Sequence, residues 1–258
     1  MDQKTMRELE AKCIQESPPG CTAACPVHVD ARALIAAVQK EDFEAGIKIL
    51  KRAVPFPGII SRICDEPCQA QCKRGEVGDP IAINALERAC LEYGTVLESK
   101  LPPIIKKDKK VAVVGGGLSG LTVALELAIK GYKVVIYEKE GYLGGSIRDI
   151  PAEKLPSELI EADLAQIGQN PLIEVNFQTR VGCDGSPSLA DLIQEFDAVY
   201  LGTGAGDESS LDLARDGQGG LILDPLTFQT SRPKVFAGGT LVLGVADKSP
   251  ITSISHGK

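Results

Sequence analysis

The spacing of apolar positions changes near residue 100. Before it, three stretches repeat at helical spacing, residues 31–39, 41–52 and 83–97, and the first follows Asp30, a residue type that caps helices by accepting from their free amides. After it, short β-branched runs at 111–114, 133–137, 173–177 and 197–201 alternate with helical patterns, one following Gly120 and one at 157–167. Strand and helix in alternation predict a parallel sheet. The expected fold class is therefore α/β: an N-terminal all-α helical domain at 1–100, a linker at 101–110 and a Rossmann-like domain at 111–258. Pro102, Pro103 and the lysines from Lys106 to Lys110 mark the linker. The short helices predict a thin core that needs inorganic support.

The first strand, Val111-Ala112-Val113-Val114, runs directly into Gly115-Gly116-Gly117-Leu118-Ser119-Gly120. In this pattern Gly115 permits the sharp turn, Gly117 lets a pyrophosphate approach the backbone, and Gly120 lets the helix pack on the strand. The free amides at the helix start, where Leu118 and Ser119 stand, are then the phosphate site. Glu138, followed by Lys139, ends the second strand. A carboxylate there accepts ribose hydroxyls and repels a 2′-phosphate, which favours FAD or NAD over NADP.

Composition narrows the partners. The chain has 258 residues, 43% of them apolar, and a net charge of −7. This leaves no basic patch for nucleic acid, no apolar run long enough for a membrane span, and no apolar signal segment in MDQKTMRELEAK. A cytoplasmic location is expected. Seven of the eight cysteines lie before residue 91. In a reducing compartment that crowding points to metal or cluster ligands. They form two groups, Cys13, Cys21 and Cys25, then Cys64, Cys68 and Cys72. Zinc prefers C-x2-C pairs, which are absent here, whereas Pro26 after Cys25 matches the C-P ending of ferredoxin runs, so iron–sulfur leads and zinc is the rival.

The order of cysteine groups, the phrases CPVHVD and RICDEPCQAQCKRGEVGDPIAINALER, and the glycine fingerprint together resemble the glutamate synthase small-subunit family. That family takes in the N-terminal half of dihydropyrimidine dehydrogenase and the large subunit of NADH-dependent ferredoxin:NADP oxidoreductase. The resemblance implies FAD and two [4Fe-4S] clusters with interleaved ligands. One cluster draws on Cys13, Cys21 and Cys72, and the family's remaining cysteine falls on Glu16. Glu16 ligating through oxygen, a three-iron cluster and an empty site are the alternatives. The other cluster draws on Cys25, Cys64, Cys68 and Glu87. Cys90, three residues further on, is either a substitute ligand or a small buried hydrophobe, and His28 is read as a helix-entry residue.

In the α/β domain the resemblance assigns Gly144 and Gly145, the strand exit at Thr203 and Gly204, and the returning Gly239 to FAD. Thr240 replaces the family's usual acid. It also implies that a nucleotide domain for NADPH is deleted between about 205 and 228, and that the last helix begins at His256. The function so implied is an electron-transfer subunit of a larger hetero-oligomeric redox complex, with partner subunits on either side and no catalytic acid or base of its own. The alternatives are a self-standing NAD(P)H-dependent flavin oxidoreductase and a scaffold whose FAD only holds the fold.

Overall fold

The computed structural model describes residues 2–15, 17–95, 104–205, 211, 213–217, 219–244 and 248–258. The chain divides into two compact units, Met1–Ser99 and Lys100–Lys258.

The first unit is helical: α1 (Gln3–Gln15), α2 (Gly20–Ala24), α3 (Ala31–Gln39), α4 (Phe43–Ala53), α5 (Pro57–Ile63), α6 (Pro67–Ala70), a 3-10 turn at Lys73–Glu76 and α7 (Ile83–Tyr93). Asp30 caps α3 by accepting from the Ala33 amide at 3.0 Å. Asp42 does the same for α4 through the Ala45 amide at 3.0 Å. That cap, with Glu41 held at φ 56°, starts α4 two residues later than its periodicity predicts. The helix expected over 83–97 stops at Tyr93 before Gly94, and residues 96–97 lie outside those described.

An apolar core occupies part of this unit. Leu34, Ile47, Leu50, Phe56, Ile59, Ile60 and Ile83 are buried where α3, α4, α5 and α7 pack. Each such side chain stabilises the fold by about 1.5–3 kcal/mol relative to exposure. By contrast α2, α6 and the 3-10 turn, which carry or border the cysteines, bury no residue.

The second unit holds β1 (Lys110–Val114), α8 (Leu118–Ile129), β2 (Lys133–Tyr137), a 3-10 turn at Gly145–Asp149, α9 (Ser157–Gly168), β3 (Ile173–Asn176), α10 (Leu189–Glu195), β4 (Ala198–Leu201), β5 (Val235–Ala237), α11 (Thr240–Leu243) and α12 (Pro250–Ser255). All pairings are parallel and the strand order is β3-β2-β1-β4-β5. Helix α8 is buried without a break from Leu118 to Leu125, because β1, β2 and β4 lie on one side of it and α9 and α12 on others. Helix α10 opens with a capping box between Ser188 and Asp191.

Strand β1 has β2 on one side and β4 on the other, so the chain reverses its winding there. Open parallel sheets bind ligands in the crevice at the carboxyl ends of strands at such a point. Between β4 and β5 the described residues form isolated antiparallel bridges, Arg215 with Leu221, Leu223 with Thr230 and Gln229 with Phe236. The last helix is also earlier than the resemblance implies. It spans Pro250–Ser255, is capped by the Ser249 hydroxyl accepting from the Thr252 amide, and leaves His256 at its end. Among the described residues, no helix is long and apolar enough to cross a membrane.

Candidate functional site

Two groups of titratable side chains gather in the helical unit. Cys13, Cys21 and Cys72 line one cavity with Arg32, Ile35, Ile81 and Ile83, and Cys68 lines it too. The Arg32 Nη1 donates to the Cys13 carbonyl at 3.5 Å. The amide of Ile81 donates to Cys72 Sγ at 3.5 Å. Burial pushes the Cys21 thiol up, and the neighbouring Cys13 and Cys72 add to this. On the other side, Cys64 receives the Glu66 amide on Sγ at 3.3 Å. Burial, then the charges of Asp65, Glu87 and Cys68, push its thiol up to about 12. Cys68 is pushed up to about 11 by burial, then by Cys25, Glu87 and Cys21. Cys68 thus stands between the two groups, which its spacing did not reveal.

Glu87 is 9% exposed, not the surface residue its position on a helix allowed. Burial first, then the Glu66 charge, push its carboxyl up to about 7, with Arg88 partly offsetting them. Thiols and a carboxyl raised in this way release their protons when positive charge enters among them, which is the chemistry a metal or cluster supplies. Among the described residues, no three His, Cys, Asp or Glu converge tightly enough for a single ion. The donor set, thiolate-rich and spread round a cavity, fits a cluster.

Other predicted residues fall elsewhere. Cys90 is wholly buried against α4, where a Cβ on Gly46 would lie 2.3 Å from its Sγ, so it packs the core. His28 is exposed, at φ 53° before α3, with Nδ1 3.1 Å from the Thr22 carbonyl. Glu16 lies outside the described residues.

The glycine turn sits at the reversal point of the sheet. Gly115 has φ 102°, and a Cβ there would lie 2.4 Å from the Gly202 carbonyl oxygen at the end of β4. A Cβ at Gly120 would lie 2.1 Å from the Gly115 carbonyl oxygen. Both positions therefore exclude any side chain. At Gly117 and Gly204 a Cβ would meet nothing within 4 Å, so the backbone there is open for a ligand to approach. Gly144 folds back onto the turn, its amide donating to the Gly116 carbonyl at 2.8 Å, and Gly145 lies over Gly117. Glu138 is 4% exposed, and its two oxygens accept from the Gly116 amide at 2.6 Å and the Glu140 amide at 2.9 Å. Lone pairs remain on both oxygens for a ribose. Lys139 is exposed and pairs with Glu140 at 3.7 Å.

Pattern reasoning missed a buried polar contact beneath this turn. The Ser119 Oγ and the Tyr200 hydroxyl are 2.5 Å apart, and burial pushes the Tyr200 phenol up to about 12. His256 Nδ1 accepts from the Gly239 amide at 3.2 Å, and its ring lies tilted by 42° to that of Phe228 with the centroids 4.7 Å apart. Burial lowers the His256 pKa. No local signal marks these residues, since Tyr200 reads as one more apolar strand position. Gly239, at φ 70°, approaches Ser119, while Thr240 starts α11, Leu118 is buried and Thr203 is half-buried.

Residues 1–98 match the family model of dihydropyrimidine dehydrogenase domain II, 4Fe-4S cluster. Residues 113–165 match an NAD(P)-binding Rossmann-like domain. A helical domain of the 4Fe-4S type thus precedes a Rossmann-like domain in this chain. The chain is 37% identical over 190 residues to the NADPH-Fe(3+) oxidoreductase subunit beta of Geobacter sulfurreducens, covering 72% of this chain and 28% of that protein. It is 30% identical to the NADP(+)-dependent formate dehydrogenase subunit beta of Moorella thermoacetica, over 78% of this chain and 32% of the relative. The NAD-dependent dihydropyrimidine dehydrogenase subunit PreT homolog of Salmonella typhi is 30% identical, over 79% and 49%. The chain is similar over most of its length to these subunits of redox enzymes, and it spans half or less of the length of these relatives.

Proposed function

We propose that the chain is an electron-transfer subunit that holds FAD at the glycine turn and [4Fe-4S] clusters at its cysteines, and relays electrons between partner subunits of a larger redox complex. The observation that carries this is the pairing, in one chain, of a thiol-lined cavity with a dinucleotide crevice, and the short stretch between β4 and β5, residues 202–234, where a second nucleotide domain would need on the order of 100 residues. Flavin and cluster supply the electron chemistry. The residues of the chain bind and orient. Gly115 and Gly120 shape the turn, the amides of Leu118 and Ser119 face the phosphates, and Glu138 with Lys139 flank the ribose. Gly144, Gly145, Thr203, Gly204, Gly239 and Thr240 border the crevice. Cys25, Cys64, Cys68 and Glu87 hold one cluster, and Cys13, Cys21 and Cys72, with Glu16 as the fourth donor, hold the other. The cavity position of Cys68 favours a second assignment, in which it completes the Cys13, Cys21 and Cys72 set.

Free thiols at all eight cysteines suit a reducing compartment, and the cytoplasm is the proposed location. The match to an NAD(P)-binding family favours the rival reading, a flavin oxidoreductase that takes NAD(P)H directly. Anaerobic purification followed by analysis of iron, sulfide, extracted dinucleotide and co-purifying chains tests the proposal. FAD at about one per chain with four to eight irons supports it. Zinc in place of iron, or NAD(P) as the only dinucleotide, overturns it.

A further inference from the structure

His256 and Gly257 are threaded between the start of α8 and the turn that leaves β5. A Cβ at Gly257 would lie 2.6 Å from the Ser119 carbonyl oxygen, and one at Gly238 would lie 2.9 Å from the His256 Cβ. His256 is bonded to both sides. Its carbonyl accepts from the Tyr200 hydroxyl at 3.4 Å, which leaves Ser119 to donate to Tyr200 across their 2.5 Å contact. Its Nδ1 accepts from the Gly239 amide at 3.2 Å, while the Gly239 carbonyl accepts from the Val242 and Leu243 amides of α11 at 3.0 and 3.1 Å. Gly239 stands at φ 70°, and a Cβ on it would lie 2.9 Å from the Ser119 Cβ. Its backbone therefore lies against the residue whose amide is proposed to face the phosphates. The Phe228 ring, on a residue held at φ 58°, fixes the imidazole from the side, with 4.7 Å between centroids.

A backbone amide can only donate, so Nδ1 must be the unprotonated nitrogen and the ring neutral, with its proton on Nε2. Protonation puts a second donor on Nδ1, facing the Gly239 amide, and the acceptor is lost. This conflict arises at Nδ1 itself and needs no other charge. We propose that His256 is a positioning residue of the dinucleotide crevice: its neutral imidazole holds the Gly239 turn against Ser119, and its protonation releases that turn and weakens dinucleotide binding. Burial keeps the ring neutral to below histidine's ordinary 6.5. Among the described residues, β5, α11 and α12 carry no ionisable group. Of those on the other elements around the ring, the Tyr200 phenol of β4 stays protonated up to about 12, Glu126 of α8 pairs with Lys258 at 3.7 Å, and Asp224 accepts from the Leu226 and Thr227 amides at 3.0 and 2.8 Å. The inference rests on the reading that the crevice holds FAD.

The test is the affinity of the full chain for FAD, followed by flavin fluorescence from about pH 8 down to about pH 5. The unaltered chain is expected to lose about tenfold in affinity across this range, the size of one buried hydrogen bond left unmade. His256→Ala, which has no acceptor, binds about tenfold more weakly at all pH values, with no pH dependence. His256→Asn places an amide oxygen at the position of Nδ1 and does not titrate, so it restores the affinity lost in His256→Ala and holds it flat in pH. The thiols and Glu87 are common to all three chains, so any effect of pH on iron loading is shared and drops out of the comparison. The Gly239 amide proton, followed by NMR in the same chains, shifts as His256 titrates and stays put in His256→Asn. A His256→Asn chain that keeps the full pH dependence, or a His256→Ala chain that binds FAD as tightly as the unaltered one, overturns the inference alone. Failure of the unaltered chain to bind FAD at any pH refutes the FAD reading and this inference together.

Discussion

The α/β unit is held together by its own apolar packing, while the helical unit is held so in only half of its length. In the α/β unit β1, β4, β5 and α10 share a core, with Ala112, Leu192, Val199, Leu201, Val235 and Ala237 fully buried and Val135 and Tyr137 of β2 packed against them. In the helical unit α3, α4, α5 and α7 share such a core, but α2 and α6 bury nothing and contribute the thiols of Cys21 and Cys68 in its place. Where a segment lacks apolar surface to bury, ligation has to supply the ordering free energy. Loss of the metal should therefore melt a defined part of the chain, and loss of the dinucleotide should not.

The largest effect is expected from Cys64→Ser. Removing one donor from the proposed set of Cys25, Cys64, Cys68 and Glu87 should lower iron and sulfide by about half. It should also speed amide exchange in α6 and the 3-10 turn by orders of magnitude, with α8 and the strands unchanged. Hydrogen exchange read by mass spectrometry checks this. Uniform loosening of both units would break the comparison.

Gly120→Val comes next. Its Cβ would collide with the Gly115 carbonyl at 2.1 Å, so the turn must shift, at a cost of about 1–3 kcal/mol to the α/β unit. The purified protein should lack dinucleotide and keep its full iron content.

The helical unit should also respond to pH. Glu87 has its carboxyl raised from 4.5 to about 7 by burial, so the folded metal-free unit binds its proton more tightly than the unfolded chain does. The resulting stability is fully present below about 4.5 and is lost as pH rises through about 7. Iron loading should run the other way, increasing as pH rises through about 7, because the Glu87 carboxylate, proposed as a ligand, must be deprotonated to bind. Glu87→Gln should flatten both trends. Thermal melting of the metal-free chain and iron uptake at a series of pH values measure them.

Tyr200→Phe is the smallest perturbation. It deprives Ser119 of its 2.5 Å partner and should cost the α/β unit about 1 kcal/mol without changing iron content.

Much of this architecture was legible in the chain, for physical reasons. The turn from Gly115 to Gly120 was readable because each glycine answers a steric demand: a Cβ at Gly115 or Gly120 collides with backbone that the neighbouring strand and turn put in place. The cysteines were readable because their crowding has few explanations in a reducing compartment. What was not legible depended on contacts distant in sequence. Burial of Glu87 comes from packing of α7 against α4 and α5, and the sharing of Cys68 comes from α6 lying on α2. The Ser119–Tyr200 contact joins residues 81 positions apart. Helices as short as α2, α6, α11 and α12 carry too few turns to leave a periodic signature.

The central claim of the proposed function is that electrons enter and leave this chain through partner proteins and its own thiol-bound sites, with no second nucleotide-binding fold among the described residues to hold a nicotinamide beside the proposed flavin. Such positioning is worth about 7–11 kcal/mol of barrier. Anaerobic stopped-flow at the flavin absorbance, comparing NADH, NADPH and dithionite, measures it most directly. Fast bleaching by dithionite with very slow, non-saturating bleaching by either nicotinamide is the expected result. Rapid, saturable bleaching by NADH or NADPH would contradict it and make the chain an oxidoreductase in its own right.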